Sequence, residues 1–239
     1  MRLDKLLTEL NIGSRSEVKK IIKQKRITVD GQVVLSPDYQ VTTHQEIQFD
    51  NKSLIYKKYH YYLFNKPAGV ITATHDKNEK TVLDVLLEKI SEENPDLAGI
   101  PISDLSPVGR LDKDTTGLLL ITNDGELNHR LLSPKKHVPK TYYVETNQPI
   151  PLDAVDLFKN GVDIGDDSNT LPSDLKILDE ISAYITITEG RYHQIKRMFH
   201  TIGLKVIKLH RISMGHLLLP ESLKPGDYIE LNDEMIQSI

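Results

Sequence analysis

Three short segments of the chain concentrate residues that could do chemistry. The first is Gly109-Arg110-Leu111-Asp112-Lys113-Asp114-Thr115-Thr116-Gly117-Leu118. If this piece is extended, Arg110 and Asp112 share one face and Leu111 points the other way, into a core. A carboxylate held there could attack an electrophilic carbon or remove a proton. The glycines permit close backbone approach or unusual φ angles. Taken alone, the segment reads as readily as a charged turn between two strands. The second segment runs from Ser133-Pro134-Lys135-Lys136-His137 into Lys140-Thr141-Tyr142-Tyr143-Val144. Cations that meet phosphates, followed by a ring that can stack on a base, suit RNA. A core tyrosine beside solvated lysines fits the same residues. The third is Glu189-Gly190-Arg191-Tyr192-His193-Gln194-Ile195-Lys196-Arg197-Met198-Phe199. It has the pattern of a strand end turning into a helix that buries Ile195, Met198 and Phe199. Arg191, Lys196 and Arg197 are then cations at the helix start, or simply an exposed basic helix end.

The elements around these segments follow from periodicity. Leu3, Leu6, Leu7 and Leu10 are spaced for a helix, which Asn11-Ile12-Gly13 breaks. Ser14 with Glu17 is a capping-box signature for a second helix that buries Val18, Ile21 and Ile22. Arg15, Lys19 and Lys23 form a ridge on it, extended by Arg26. Ile27 to Val29, the Asp30-Gly31 turn and Val33-Val34 predict a hairpin. Residues 1–48 are thus expected to form a small helix–helix–hairpin domain, 49–60 a polar linker, and 61–239 the main domain. In the main domain, strands are expected at 61–64, 70–73, 107–112, 117–122, 141–146, 175–178, 183–188, 205–209 and 227–231. Thr81 is expected to cap a helix carrying Val82, Val85, Leu86 and Ile90, and residues 91–104 to be loop-like. Further helices fit 125–132, 151–160 and 193–202. Strands outnumber helices in irregular order, which predicts an α+β fold.

Composition removes several classes of function. The 239 residues contain no cysteine, so disulfides, thiolate metal sites and cysteine nucleophiles are excluded. No apolar run approaches a membrane span, and Met1 to Lys5 does not begin a signal stretch, so a cytoplasmic protein without a membrane partner is expected. The chain carries a net charge of −4, but residues 1–36 hold eight basic and four acidic side chains. A basic end on an acidic body predicts a localised anion-binding module.

Together the three segments resemble the RsuA-type (ribosomal small subunit) pseudouridine synthases. The resemblance rests on Gly109-Arg-Leu-Asp-x-x-Thr-x-Gly-Leu118, Lys140-x-Tyr142 and Glu189-Gly-Arg-Tyr-His-Gln-Ile-Lys-Arg-Met198. Asn65-Lys66-Pro67 with Gly69, and His129-Arg130-Leu131 with Ser133-Pro134, add to it. Arg2-Leu3-Asp4-Lys5-Leu6 and Ser14-Arg15 resemble an S4 RNA-binding domain. The resemblance implies an S4 domain joined to a catalytic domain with a mixed, largely antiparallel sheet and flanking helices. It implies that a uridine of ribosomal RNA is isomerised to pseudouridine without metal or cofactor. Asp112 would be the carboxylate, by nucleophilic attack on C1′ or by removal of a C2′ proton. Asp104, Asp114 and Asp124 are local rivals that stand outside the motif's aspartate position. Lys196 would hold Asp112 charged, with Arg197 as its nearest rival, and Tyr142 would stack on the extruded base. Arg110, Arg130, Lys135, Lys136, Lys140, Arg191 and Arg197 are expected to contact RNA in the main domain. Arg2, Arg15, Lys19, Lys23 and Arg26 are expected to do so in the S4 domain. The partner would be 16S ribosomal RNA, free or within a small-subunit assembly particle, bound by a monomer. Relatives acting on 23S rRNA share the catalytic motifs, and a non-catalytic S4-type RNA-binding protein is the alternative of a different class.

Overall fold

The computed structural model describes all residues except Asn11, Thr43, Ile55, 94–103, 238 and 239. These residues divide into two compact units, one built on Met1–Tyr59 and the other on His60–Lys89 with Leu105 onward. In the first unit, α1 (Leu3–Glu9) and α2 (Arg15–Lys23) precede β1 (Ile27–Val29), β2 (Gln32–Val33), β3 (Ile47–Phe49) and β4 (Lys52–Leu54). The strands form one antiparallel sheet in the order β2-β1-β3-β4. Leu3, Leu6, Leu7, Val18, Ile22 and Ile27 share its core. Burying these faces together outweighs the marginal stability of helices this short. The capping box forms as its spacing predicts: Glu17 N donates to Ser14 Oγ, and Ser14 N donates to Glu17 Oε2. The expected linker is corrected here, because Lys52–Leu54 pairs with β3 as an edge strand.

The second unit contains β5 (Tyr61–Lys66), the larger part of α3 (Val82–Glu93), β6 (Ser106–Pro107), β7 (Thr116–Thr122) and α4 (Gly125–Leu132). After a short turn at Pro134–Lys136 come β8 (Lys140–Thr146), α5 (Ala154–Lys159), β9 (Asp174–Ile177), β10 (Ser182–Ile187) and α6 (Gln194–Thr201). The unit ends with β11 (Val206–Met214), β12 (Leu217–Leu218), β13 (Tyr228–Glu230) and α7 (Asp233–Gln237). Its sheet runs β13-β5-β7-β11-β8-β10-β9, with β6 on β7 and β12 on β11. Every pairing is antiparallel except β7 with β11. The expected α+β fold with a mixed, largely antiparallel sheet is therefore present. The centre of the sheet is covered on both faces, and all six residues of β5 are buried. Among the described residues, no helix is long and apolar enough to cross a membrane.

Two expected strands are corrected. Val70 to Ala73 makes only an isolated bridge, between Ile71 and Thr81. Residues 109–112 are not strand either; pairing ends at Pro107, and Gly109 turns the chain with a φ of 77°. The helix capped by Thr81 continues to Glu93, so the first residues of the expected 91–104 loop are helical; 94–103 lie outside the described residues.

Candidate active site

Asp112 sits on a loop that other backbone and side-chain groups clamp. Thr72 Oγ1 donates to Leu111 O at 2.7 Å and accepts from Leu111 N at 3.1 Å. Gly69 N donates to Lys113 O at 2.8 Å. Lys66, fully buried, donates to the carbonyls of Pro67, Lys113 and Thr115. Burial pushes its pKa down to about 8. These contacts show what the Lys66-Pro67-x-Gly69 signature does: it ties the strand before it to the loop that carries the carboxylate. Leu111 is buried, as alternation required, although the backbone there is irregular.

The helix α6 supplies the cation. Ile195, Met198 and Phe199 bury one face of it, and Phe199 packs edge-on against Phe158 at 5.2 Å. The start of the helix is fixed by a polar bracket. Arg191 N donates to Gln194 Oε1, and Gln194 Nε2 and Leu171 N both donate to Glu189 Oε1. That geometry turns Lys196 toward the loop, with its Nζ 3.0 Å from Asp112 Oδ2 and 2.6 Å from Asp114 Oδ1. Burial opposes the charge on Lys196, but hydrogen bonds to Asp114 and Asp112 outweigh it and hold the pKa above the ordinary lysine value. Asp114 is held below the usual carboxylate range, first by its bond to Lys196.

The rivals fall out on position. Asp114 shares the lysine, but its side chain is 74% exposed, against 29% for Asp112. Asp124 caps α4, accepting from Glu126 N and Leu127 N. Arg197 is not the partner of Asp112: it pairs with Asp166 at 2.6 Å and donates to Ile164 O. Arg191 is likewise engaged, by Glu189, Asp166 and the carbonyls of Ser168 and Asn169. Both arginines therefore tie the start of α6 to the loop at 164–169 between α5 and β9.

Asp112, Lys196, Tyr142 and Arg110 line one cavity of about 750 Å³ in the second unit, together with His193 and Arg211. Its volume lies in the range of small-molecule sites. Sequence reasoning missed the last two as site residues. His193 adopts left-handed backbone, places Nε2 3.5 Å from Asp112 Oδ1, and stacks on the exposed ring of Tyr192 at 3.9 Å. Arg211 is the cross-strand partner of Tyr142 and is 2% exposed. Its Nε donates to Leu118 O, and its Nη1 lies 3.5 Å from the Tyr142 hydroxyl. In the sequence an arginine in an alternating strand reads as surface. The one available signal was Gly117, whose missing side chain admits the Arg211 backbone: a Cβ there would stand 2.3 Å from Arg211 O.

Lys140 and Arg191 also line this cavity, and the expected RNA-contact cations other than these and Arg110 lie outside it. Arg130, Lys135 and Lys136 are exposed around the end of α4, without carboxylate partners among the described residues. In the first unit, Arg15, Lys19 and Lys23 are exposed along α2 and equally unpaired among the described residues. Arg2 pairs with Asp4, and Arg26 with Asp50.

Comparison with known proteins agrees with this arrangement. The RNA pseudouridylate synthase family model matches residues 60–201, and the S4 domain model matches residues 1–47. An uncharacterized RNA pseudouridine synthase, YtzG, of Bacillus subtilis (strain 168) is 42% identical, covering 98% of this chain and 96% of its own. The ribosomal small subunit pseudouridine synthases A of Yersinia pestis and Escherichia coli (strain K12) are 39% and 36% identical. Both alignments cover all of this chain, and 98% and 100% of theirs. A crystal structure of a pseudouridylate synthase, 36% identical, superposes with a TM-score of 0.67 over all of this chain and 99% of that one. With an S4 domain at its N-terminal end, the chain belongs to the RNA pseudouridylate synthase family.

Proposed function

We propose that this enzyme converts a uridine of 16S ribosomal RNA to pseudouridine, with Asp112 as the carboxylate that acts at the sugar. The observation that carries the reading is the ion pair at the cavity: Asp112 is half-buried, yet Lys196 lies 3.0 Å from it. A cation at this distance attracts the carboxylate and fixes where it points in the cavity. Only the carboxylate can attack C1′ or take a proton from C2′. Isomerisation oxidises nothing and transfers no group to an acceptor, so side chains alone can carry it.

The target uridine leaves its stack at a cost of a few kcal/mol and enters the cavity, where Tyr142 stacks on the base. Arg110 reaches the adjoining sugar or phosphate. Arg130, Lys135 and Lys136 hold flanking backbone, and the α2 ridge of Arg15, Lys19 and Lys23 anchors RNA through its phosphates. The small-subunit target rests on full-length relatives named for that activity. Such a substrate places the enzyme in the cytoplasm, on free rRNA or an assembly particle.

The test is pseudouridine mapping of rRNA from a deletion strain, complemented with the wild type or with Asp112→Asn. The reading predicts one lost site in 16S rRNA, restored by the wild type and not by the variant. A lost site confined to 23S rRNA, or restoration by Asp112→Asn, would refute it.

A further inference from the structure

Two cations at the cavity have no carboxylate partner among the described residues. Lys140 and Tyr142 stand two apart on β8 and share a face of the sheet. Arg211 is the register partner of Tyr142 on the neighbouring strand, so its side chain lies on that face as well. All three line the cavity with Asp112. The Arg211 guanidinium lies 6.0 Å from the Tyr142 ring centroid, and its Nη2 is buried with no hydrogen-bond partner among the described residues. Lys140 Nζ donates to Val138 O and to no other group among the described residues. Burial and the charge of Arg211 push Lys140 down to about 8. The contrast with Lys196 is direct: its charge is already balanced by two aspartates. A buried cation pair without an anion is costly in the resting enzyme. It becomes favourable when negative charge arrives.

We infer that Lys140 and Arg211 form a charge sink for the departing base, acting on the half of the nucleoside that Asp112 does not touch. The inference rests on the isomerase reading above. When the N1–C1′ bond breaks, its electron pair leaves with N1 and spreads over O2 and O4 of the uracil. On one route an Asp112 oxygen bonds to C1′. On the other, Asp112 takes the C2′ proton and the C2′–H pair forms a C1′–C2′ double bond. Either way the uracil becomes an anion in the cavity that Tyr142, Lys140 and Arg211 line together. The anion then attacks C1′ through C5. Asp112 departs with its bonding pair, or returns its proton to C2′, and the C5 proton ends on N1, giving a neutral isomer. The bound uridine is uncharged, so the two cations stabilise the cleavage transition state more than the ground state. Lys140 does this from the cavity wall. Arg211 acts from beneath Tyr142, as a positioning residue.

The experiment compares leaving groups. Full-length 16S rRNA transcripts are made with uridine or with 5-fluorouridine, whose fluorine itself stabilises the base anion. Single-turnover conversion to the C-linked nucleoside is followed by nuclease digestion and chromatography; the 5-fluoro product has no C5 proton to lose and is read as the C-linked nucleoside with water added across N1=C6. Lys140→Met should slow uridine conversion by about 10²-fold, as losing one preorganised electrostatic group does. It should slow 5-fluorouridine conversion far less, and leave RNA affinity unchanged. Lys140→Arg should retain most activity, and Arg211→Lys should show the same leaving-group dependence in weaker form. Equal deficits on both bases, or no deficit, would overturn the charge sink and leave the isomerase reading intact. A wild type inert on both transcripts would instead bring down the reading on which it stands.

Discussion

Replacing Lys196 by methionine isolates the pair on which the site is built. Lys196 Nζ lies 3.0 Å from Asp112 Oδ2, where the gross attraction is about 5 kcal/mol at an effective dielectric of about 20. Their side chains are 24% and 29% exposed. That places the pair between an exposed bridge, worth below about 1 kcal/mol, and a buried one whose breaking costs about 3–5 kcal/mol. A net loss of about 2–3 kcal/mol of support for the charged carboxylate follows. If all of it serves to place the carboxylate for reaction, the rate falls by at most roughly 30- to 200-fold, at about 1.4 kcal/mol per decade. Asp114 adds repulsion once the lysine is gone, weakened by its exposure. The assay is single-turnover conversion of a 16S transcript at saturating enzyme, with pseudouridine detected by chemical labelling because it has the same mass as uridine. RNA affinity, measured in parallel, should hold, because a lysine shared by two aspartates is not a free phosphate contact. Lys196→Arg should keep most of the rate. Full turnover in Lys196→Met, or a loss confined to affinity, would refute the reasoning.

Other expectations follow from single features. Gly117→Ala should destabilise by about 2–4 kcal/mol, because its Cβ meets Arg211 backbone at 2.3 Å in a left-handed φ region; calorimetry would read this as a Tm lowered by roughly 5–15 °C. Lys66, pushed down to about 8 from 10.5, releases its proton in the folded state before it does so in the unfolded chain. Stability should therefore rise with pH above about 8, and Lys66→Met should lower that slope by up to about 1 kcal/mol per pH unit in urea titrations. An unchanged slope would show that the burial of Lys66 is not what moves it. Neutralising Arg15, Lys19 and Lys23 together should flatten the salt dependence of RNA binding by about 2–3 units of log–log slope, at about 0.7–0.9 per phosphate contact. An unchanged slope would remove α2 from the RNA interface.

Local rules carried much of the fold. The Ser14–Glu17 box starts α2, and Thr81 with Asp84 caps α3 through the same reciprocal bonds. The limits of α4 fell where its apolar spacing put them, since Asp124 supplies a strong N-cap. Tertiary contacts decided the rest. Residues 109–112 alternate like a strand, but Gly109 turns them and Thr72 clamps them as a loop. Lys52 and Ser53 read as linker because they form a polar edge strand, where one face and one rim meet water. The three site residues expected from the motifs, Asp112, Tyr142 and Lys196, line one cavity. Arg211 stayed hidden because its burial depends on a parallel pairing with β7, 94 positions away in the register Arg211 to Gly117, which no local pattern encodes. The pairing of Arg191 and Arg197 with Asp166 was hidden for the same reason, since the partner lies in a loop about 25–31 positions away.

The central claim is that a charged carboxylate at position 112 performs the chemistry. Asp112→Asn keeps the shape of the side chain and removes its charge. Single-turnover conversion of the 16S transcript by purified Asp112→Asn, with RNA binding measured on the same preparation, tests it most directly. The account predicts undetectable pseudouridine and near wild-type RNA affinity. Pseudouridine formed at the wild-type rate would contradict it.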